Sequence, residues 1–270
     1  MAEKHLIALD LDGTLLKDDK TISTKTKNVL SKAREEGHVV MIATGRPFRS
    51  SEPYYRELQL DTPIVNFNGA FMHHPLDSSW GYYHDPLDIK VAKDIVEACR
   101  SFQFHNIIAE VIDEVYFHYH DEKLLDIFGM GNPFITTGDL RDYLKDSPTS
   151  LLIHTEEDDL KQIRRHLSDV HAEVIDHRSW AAPWHVIEII KIGLSKAVGL
   201  KKASDYFNIP PERIIAFGDE DNDLEMLEYA GRGIAMGNAI DKVKSIANEV
   251  TLTNEEDGIA VYLSDLLNLK

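Results

Sequence analysis

The chain has almost no cysteine. Cys99 is the single one in 270 residues, so an internal disulfide is impossible and a thiolate metal site is excluded. Nothing in that usage indicates an oxidising compartment. Long apolar runs are missing as well. No stretch approaches the roughly 18 residues that a membrane helix needs, and the first apolar run, Leu6–Leu9, is too short for the core of a signal peptide. Together these absences lead to the expectation of a cytoplasmic protein. Basic charge is also scarce: 29 Lys and Arg stand against 46 Asp and Glu, a formal net charge of -17. Nucleic-acid binding rests on cations meeting phosphates, and an anionic membrane surface asks for the same, so neither is expected as a partner. No required protein partner is evident. The acidic excess is compatible with a bound divalent cation, which would neutralise clustered carboxylates, and equally with solubility alone. No internal repeat or low-complexity segment occurs.

What is present is enough apolar residue, 43%, to bury a sizeable core in one large or two smaller domains. Leu6–Leu9 reads as a buried strand ending in Asp10. Ser23 opens a helical stretch carrying Val29, Leu30 and Ala33 inward, and Gly37 closes it. Further apolar runs at 39–43, before Thr44-Gly45, and at 64–67, before Asn68-Gly69, read as strands. The C-terminal quarter repeats the alternation: helix 195–208, strand 214–217 before Gly218-Asp219, a helix through Leu227, strand 233–236 before Gly237-Asn238, then 248–253 and helix 258–267. Such alternation predicts an α/β fold, a Rossmann-like doubly wound parallel sheet with helices on both faces. The middle lacks it. A strand–turn–strand at 109–119, strands at 151–155, 172–175 and 186–191 and a helix at 158–167 predict an inserted α+β domain at 84–190. The core then comprises 1–83 and 191–270. Cys99, in the helical stretch 91–102 beside apolar neighbours, reads as a small core residue.

Asp10-Leu11-Asp12-Gly13-Thr14-Leu15 places two carboxylates two apart at the end of a buried strand. In extended backbone, residues i and i+2 point the same way, so both acids should reach one crevice. In open α/β sheets that crevice, beyond the carboxyl ends of the strands, is where ligands bind. Two carboxylates buried together need a cation or donors to compensate. The bland alternative is a surface turn with chance acids.

The segment resembles the first motif, Asp-x-Asp-x-Thr, of the haloacid dehalogenase superfamily of phosphohydrolases. Three further motifs follow in order: Thr44-Gly45-Arg46 closing the second strand, Lys196 in Gly193-Leu-Ser-Lys-Ala-Val-Gly-Leu200 ahead of the fourth strand, and Gly218-Asp219-Glu220-Asp221-Asn222-Asp223. The insertion, and Asn68-Gly69-Ala70, resemble the Cof-like subgroup with its large α/β cap, and the resemblance spans the whole chain. It implies a phosphatase of small phosphorylated metabolites: sugar phosphates, nucleotides, pyridoxal phosphate or flavin precursors. It implies Asp10 as nucleophile forming an aspartyl phosphate and Asp12 as acid and then base. It further implies a magnesium ion held by Asp10, Asp219, Asp223 and the Asp12 backbone carbonyl. Leu11, Thr44, Gly45, Arg46, Lys196 and Asn222 would hold phosphate or substrate. Taken singly, Lys196 is one lysine among several nearby, Thr44 a strand-end hydroxyl and Arg46 a candidate for a surface ion pair.

Other features stay open. His118-Tyr119-His120 puts two imidazoles on one face of a strand, a spacing zinc can use, but no third ligand is apparent; a substrate contact or plain surface are the other readings. Trp180 and Trp184 are either a structural brace or a stacking wall for a substrate. A phosphosugar mutase of the same superfamily is the enzymatic alternative. A phospho-acceptor or binding protein is the non-enzymatic one, though receiver domains are shorter and lack the second acid. A dehalogenase is disfavoured because those relatives lack the acid at the Asp12 position.

Overall fold

The computed structural model describes residues 4–179 and 185–269, leaving Trp180 and Trp184 outside the described residues. The chain forms two compact units. The first takes the segment ending at Arg46, Ser51–Tyr82 and the chain from Ser195 onward; the second takes Tyr83–Leu194 together with Pro47–Ser50. The sequence placed the insertion at 84–190 and assigned 47–50 to the core. Arg49 ties the 47–50 segment to the second unit. Its guanidinium, buried, donates to the Glu110 carboxylate and to the Ile112 carbonyl, both in the second unit, and a buried cation must stay with its counter-charge.

The first unit is built on a five-stranded parallel sheet in the order Glu249–Val250, Arg232–Ala235, Ile214–Gly218, Leu6–Leu9, Val39–Ile42. Every residue of the last three strands is buried. A parallel sheet is covered on both faces, which is why these strands are continuous apolar runs rather than alternating ones. Thr24–Glu35 packs on Gly258–Leu266, and Lys196–Phe207 on Leu224–Tyr229. Ser23 caps the first helix by accepting from the Thr26 N–H, and Asn208 ends the Lys196–Phe207 helix in the left-handed conformation before Pro210. The chain leaves Leu6–Leu9 for a neighbour on one side and later supplies Ile214–Gly218 on the other. Strand order therefore reverses at Leu6–Leu9, and the carboxyl end of that strand is the switch point.

The run at 64–67 departs from the expected parallel strand. Ile64–Asn66 meets the sheet at the isolated parallel bridge Ala43–Val65 and pairs antiparallel with Phe71–His73. Phe67 and Asn68 both adopt positive φ in a tight 3-10 turn, so the chain reverses at once.

The second unit has a six-stranded sheet in the order Ile175–Ser179, Val186–Lys191, Ser150–His154, Asn106–Val111, Glu114–Phe117, Ile135–Thr137. Its pairs are antiparallel except the last. Ile107, Ala109, Leu151, Ile153, Ile187 and Ile189 face one core with Ala92, Ile95 and Cys99 of the helix Ile89–Cys99 and Ile163 and Leu167 of Glu157–His171. Ile108, Leu152 and Val186 face the other with Phe117 and Phe128. This is the period-2 alternation of a sheet with two apolar faces. Burial pushes the Cys99 thiol up to about 12, the state of an inert core residue. The strand expected at 172–175 begins instead at Ile175: helix Glu157–His171 runs on, with Ala172 at its C-cap. Among the described residues, no helix is long and apolar enough to cross a membrane.

Gly199 sits inside Lys196–Phe207, where alanine would ordinarily gain up to ~1 kcal/mol. Here an added Cβ would stand 2.5 and 2.6 Å from the Val65 methyls. Gly199→Ala should therefore destabilise by about 1–3 kcal/mol, read as a lower urea midpoint with unchanged slope; a raised midpoint would show that the helix backs away from Val65 freely.

Candidate active site

Four side chains converge beyond the carboxyl ends of the central strands. Asp10 leaves Leu6–Leu9, Asp219 and Asp223 follow Ile214–Gly218, and Lys196 opens the helix Lys196–Phe207. Asp223 and Lys196 are 0% exposed, Asp10 5% and Asp219 7%. Lys196 Nζ donates to Asp10 Oδ1 at 2.6 Å and to Asp223 Oδ1 at 2.7 Å. The other Asp223 oxygen accepts the N–H groups of Asp219 and Glu220 at 2.9 and 3.1 Å. Asp219 Oδ1 accepts the Thr14 hydroxyl at 2.7 Å. Gly13 makes this approach possible: its φ is +75°, and a Cβ there would lie 2.1 Å from Asp219 Oδ2.

The electrostatics follow from three buried carboxylates against one ammonium. Burial raises Asp10 well above the usual carboxylate range; Lys196 opposes the rise, and Asp223 and Asp219 add to it. Burial and the Asp223 charge push Asp219 up to about 7, against the Thr14 hydrogen bond and Lys196. Lys196 is raised: the two carboxylates outweigh the desolvation of its ammonium. Among the described residues, Asp10, Asp219 and Asp223 are the one group of three His, Cys, Asp or Glu whose ligand atoms all lie within 4.8 Å of one another. Clustered, buried, hard oxygen donors with surplus negative charge are what a divalent cation of the magnesium or calcium kind requires.

Asp12 does not share that environment. The strand ends at Leu9 and the chain turns after it. The Asp12 carboxylate receives Arg46 Nε and Nη2, both at 2.6 Å, and Lys20 Nζ at 2.9 Å. Burial raises its pKa, but the Arg46 and Lys20 donors and charges outweigh burial and bring it down to about 2. Arg46, expected on phosphate, is here committed to Asp12 and also lies over the Tyr54 ring. Thr44, buried, accepts the Arg46 N–H through Oγ1 at 3.1 Å, which leaves its own proton to donate. A Cβ on Gly45 would stand 3.2 Å from the Asn68 amide, and Asn222 Nδ2 donates to Asn68 Oδ1 at 3.0 Å. Leu11 is fully buried, so only its backbone can serve a ligand.

Residues without an assigned role in the sequence reading enter here. Thr14 was visible in the Asp-x-Asp-x-Thr pattern and Asn68 in Asn68-Gly69-Ala70; Lys20 carried no signal. A Cβ on Gly69 would meet the Ser195 carbonyl at 2.2 Å, so this turn backs directly on the N-cap of the lysine helix. His118 lies past the end of Glu114–Phe117, half-buried, with Nδ1 accepting the Leu140 N–H. It and His120 take no part in the metal-ligating group of the described residues.

Comparison with known proteins agrees with this geometry. Residues 7–263 match the family described as haloacid dehalogenase-like hydrolase. The chain is 63% identical over 265 residues to the 5-amino-6-(5-phospho-D-ribitylamino)uracil phosphatase YitU of Bacillus subtilis, covering 98% of each chain. It is 31% identical to the pyridoxal phosphate phosphatase YbhA of Escherichia coli, over 96% of this chain and 97% of that one. A solved haloacid dehalogenase-like hydrolase from Bacteroides thetaiotaomicron matches with a TM-score of 0.83 at 27% identity, over 98% of this chain and 100% of that one.

The metal-free cluster should limit stability. An unfolded chain ionises an aspartate near 3.9, whereas Asp219 ionises near 7 in the fold. Folding thus takes up a proton in that window, and stability falls as pH rises through it. Asp219→Asn, which keeps an acceptor for Thr14, should raise the metal-free melting temperature at pH 8 by several degrees and remove the increment that magnesium chloride gives the wild type. A variant that melts lower without metal would contradict this account of the cluster.

Proposed function

We propose a reaction that proceeds from one fact: this chain belongs to the haloacid dehalogenase-like hydrolase family. The observation that carries the proposal is the buried Lys196 ammonium bridging Asp10 and Asp223 at the switch point of the sheet. It holds Asp10 beside a cluster built for a cation, with the Thr44 hydroxyl at the end of the neighbouring strand. The reaction is hydrolysis of a phosphate monoester by covalent catalysis at Asp10.

In the first step an Asp10 oxygen attacks phosphorus, the bond from phosphorus to the ester oxygen breaks, and Asp12 gives its proton to that departing oxygen. In the second, water attacks the aspartyl phosphate, Asp12 takes the proton from water, and Asp10 is released with inorganic phosphate. Thr44, the Gly45 and Leu11 amides and Lys196 bind the phosphoryl oxygens; Asn222, whose amide donates to Asn68, is assigned to the same group. The clamp of Arg46 and Lys20 favours ionised Asp12, the form that accepts a proton in the second step. An arriving phosphate competes for Arg46, and loss of that partner from Asp12 raises its proton affinity for the first step. Magnesium, held when bound by Asp10, Asp219 and the Asp12 carbonyl with Asp223 in support, supplies the positive charge that neutralises the phosphoryl oxygens.

For the substrate we propose 5-amino-6-(5-phospho-D-ribitylamino)uracil. What supports it is 63% identity running through 98% of both chains, the second unit included; one relative at 31% is named a pyridoxal phosphate phosphatase. Substrate choice is assigned to the second unit, residues 83–194.

A phosphate-release assay with that compound, pyridoxal phosphate and a set of sugar phosphates tests the reading. The expected result is magnesium-dependent release, highest kcat/KM for the ribitylaminouracil phosphate, abolished in Asp10→Asn and reduced about 100-fold or more in Asp12→Asn. Retained turnover in Asp10→Asn would remove it as nucleophile. A preference for pyridoxal phosphate would overturn the substrate assignment while leaving the chemistry standing.

A further inference from the structure

The turn after Asp12 is tied to segments more than two hundred residues away. Asn238 Nδ2 donates to the Gly13 carbonyl at 2.8 Å. Asn238 Oδ1 accepts the Asn254 N–H at 3.0 Å. Asn254 Nδ2 donates to the Leu16 carbonyl at 3.0 Å and reaches Asp18 Oδ1 at 3.4 Å. Two amide side chains thereby bind both ends of the 13–16 turn to the loops that follow the outer strands Arg232–Ala235 and Glu249–Val250.

The turn needs such a tether. Its own bonds back to the strand are long: Thr14 N–H to the Leu11 carbonyl is 3.3 Å and Leu15 N–H to the Asp10 carbonyl 3.2 Å, with only Leu16 N–H to Leu11 at 2.8 Å. Gly13 at φ +75° leaves the backbone freer here than any other residue would. Yet this loosely bonded turn lies directly against Asp219, with no room for a Cβ between them, and grips it through Thr14 Oγ1. A shift of the turn therefore moves one of the three carboxylates. Asn238 is exposed; water could satisfy both it and the Gly13 carbonyl, so the direct bond adds little to stability. What it supplies is a fixed position.

We propose that Asn238 and Asn254 are positioning residues for the cation site. They fix the 13–16 turn so that Thr14 holds Asp219 where it can share a divalent cation with Asp10. The proposal rests on the metal-dependent reading above. Groups that orient metal ligands characteristically change affinity or activity by about 10–100-fold when removed, and these two act at one remove further, through a backbone turn.

The test is a calorimetric titration of metal-free protein with magnesium chloride, for wild type, Asn238→Ala, Asn254→Ala and Asn238→Gln, beside metal-free melting curves. The expected result is magnesium binding weakened about 10-fold or more in Asn238→Ala, with its metal-free melting temperature close to wild type and partial recovery in Asn238→Gln, which keeps the amide donor. Steady-state hydrolysis of p-nitrophenyl phosphate should agree: a higher magnesium requirement, most of the kcat regained at saturating magnesium, and little change in KM. Asn254 is buried, and if Asn254→Ala melts early the decision rests on Asn238→Ala alone. Wild-type affinity in Asn238→Ala, or a lower melting temperature with unchanged magnesium binding, overturns the proposal. Failure of the wild type itself to bind magnesium overturns the metal reading, and this inference with it.

Discussion

One buried ammonium organises the site. Lys196 has no exposed surface and spends two of its three protons on Asp10 and Asp223. Without it, two carboxylates would face each other out of water, an arrangement that costs several kcal/mol and ends in protonation or rearrangement. With it, Asp10 is fixed on one side and the loop after Ile214–Gly218 on the other, since Asp223 also collects the N–H groups of Asp219 and Glu220. The position of the helix Lys196–Phe207 follows the same demand: Gly69 and Gly199 are the places where neighbouring backbone and Val65 come too close for a side chain. Lys196 balances only part of the negative charge. The remainder keeps Asp219 partly protonated near neutrality, and a cation is what relieves it.

Asp10 and Asp12 show how little separation in sequence says about environment. They are two residues apart, yet burial drives one pKa up while an arginine and a lysine drive the other down to about 2. Burial governs the first carboxyl group, and paired cations govern the second. Here the division arises from what each carboxylate meets: Lys196 and two other acids around Asp10, Arg46 and Lys20 around Asp12.

Much of this was legible in the sequence because burial on both faces leaves a plain mark. Leu6–Leu9, Val39–Ile42 and Ile214–Gly218 are short apolar runs, each followed within a residue or two by a polar group that faces the crevice. Ser23 and Asn208 mark helix ends by the conformations they favour. What was not legible depends on contacts across long separations. The reversal at 67–69 uses two non-glycine residues at positive φ, a choice that local preference disfavours. Asn238 and Asn254 are single amides with no periodicity around them. The 172–175 region carries helix formers and strand formers side by side, and tertiary packing gave the turn to Ala172 and the strand to Ile175.

The Arg49–Glu110 pair reaches further than its own energy. Because Pro47–Ser50 belongs with the second unit, the chain passes between units four times, at 46/47, 50/51, 82/83 and 194/195. An insertion with two junctions is a cassette: it can be transplanted whole between relatives by recombination. This one includes a separate segment of four residues, and a transplanted 83–194 would leave Glu110 buried without its cation, with the Ser150 hydroxyl as a remaining donor, unless the recipient already carried an arginine at the position of Arg49. Exchange of 83–194 alone between lineages is thereby expected to succeed only in hosts that carry the matching arginine, so 47–50 and 83–194 should be inherited together.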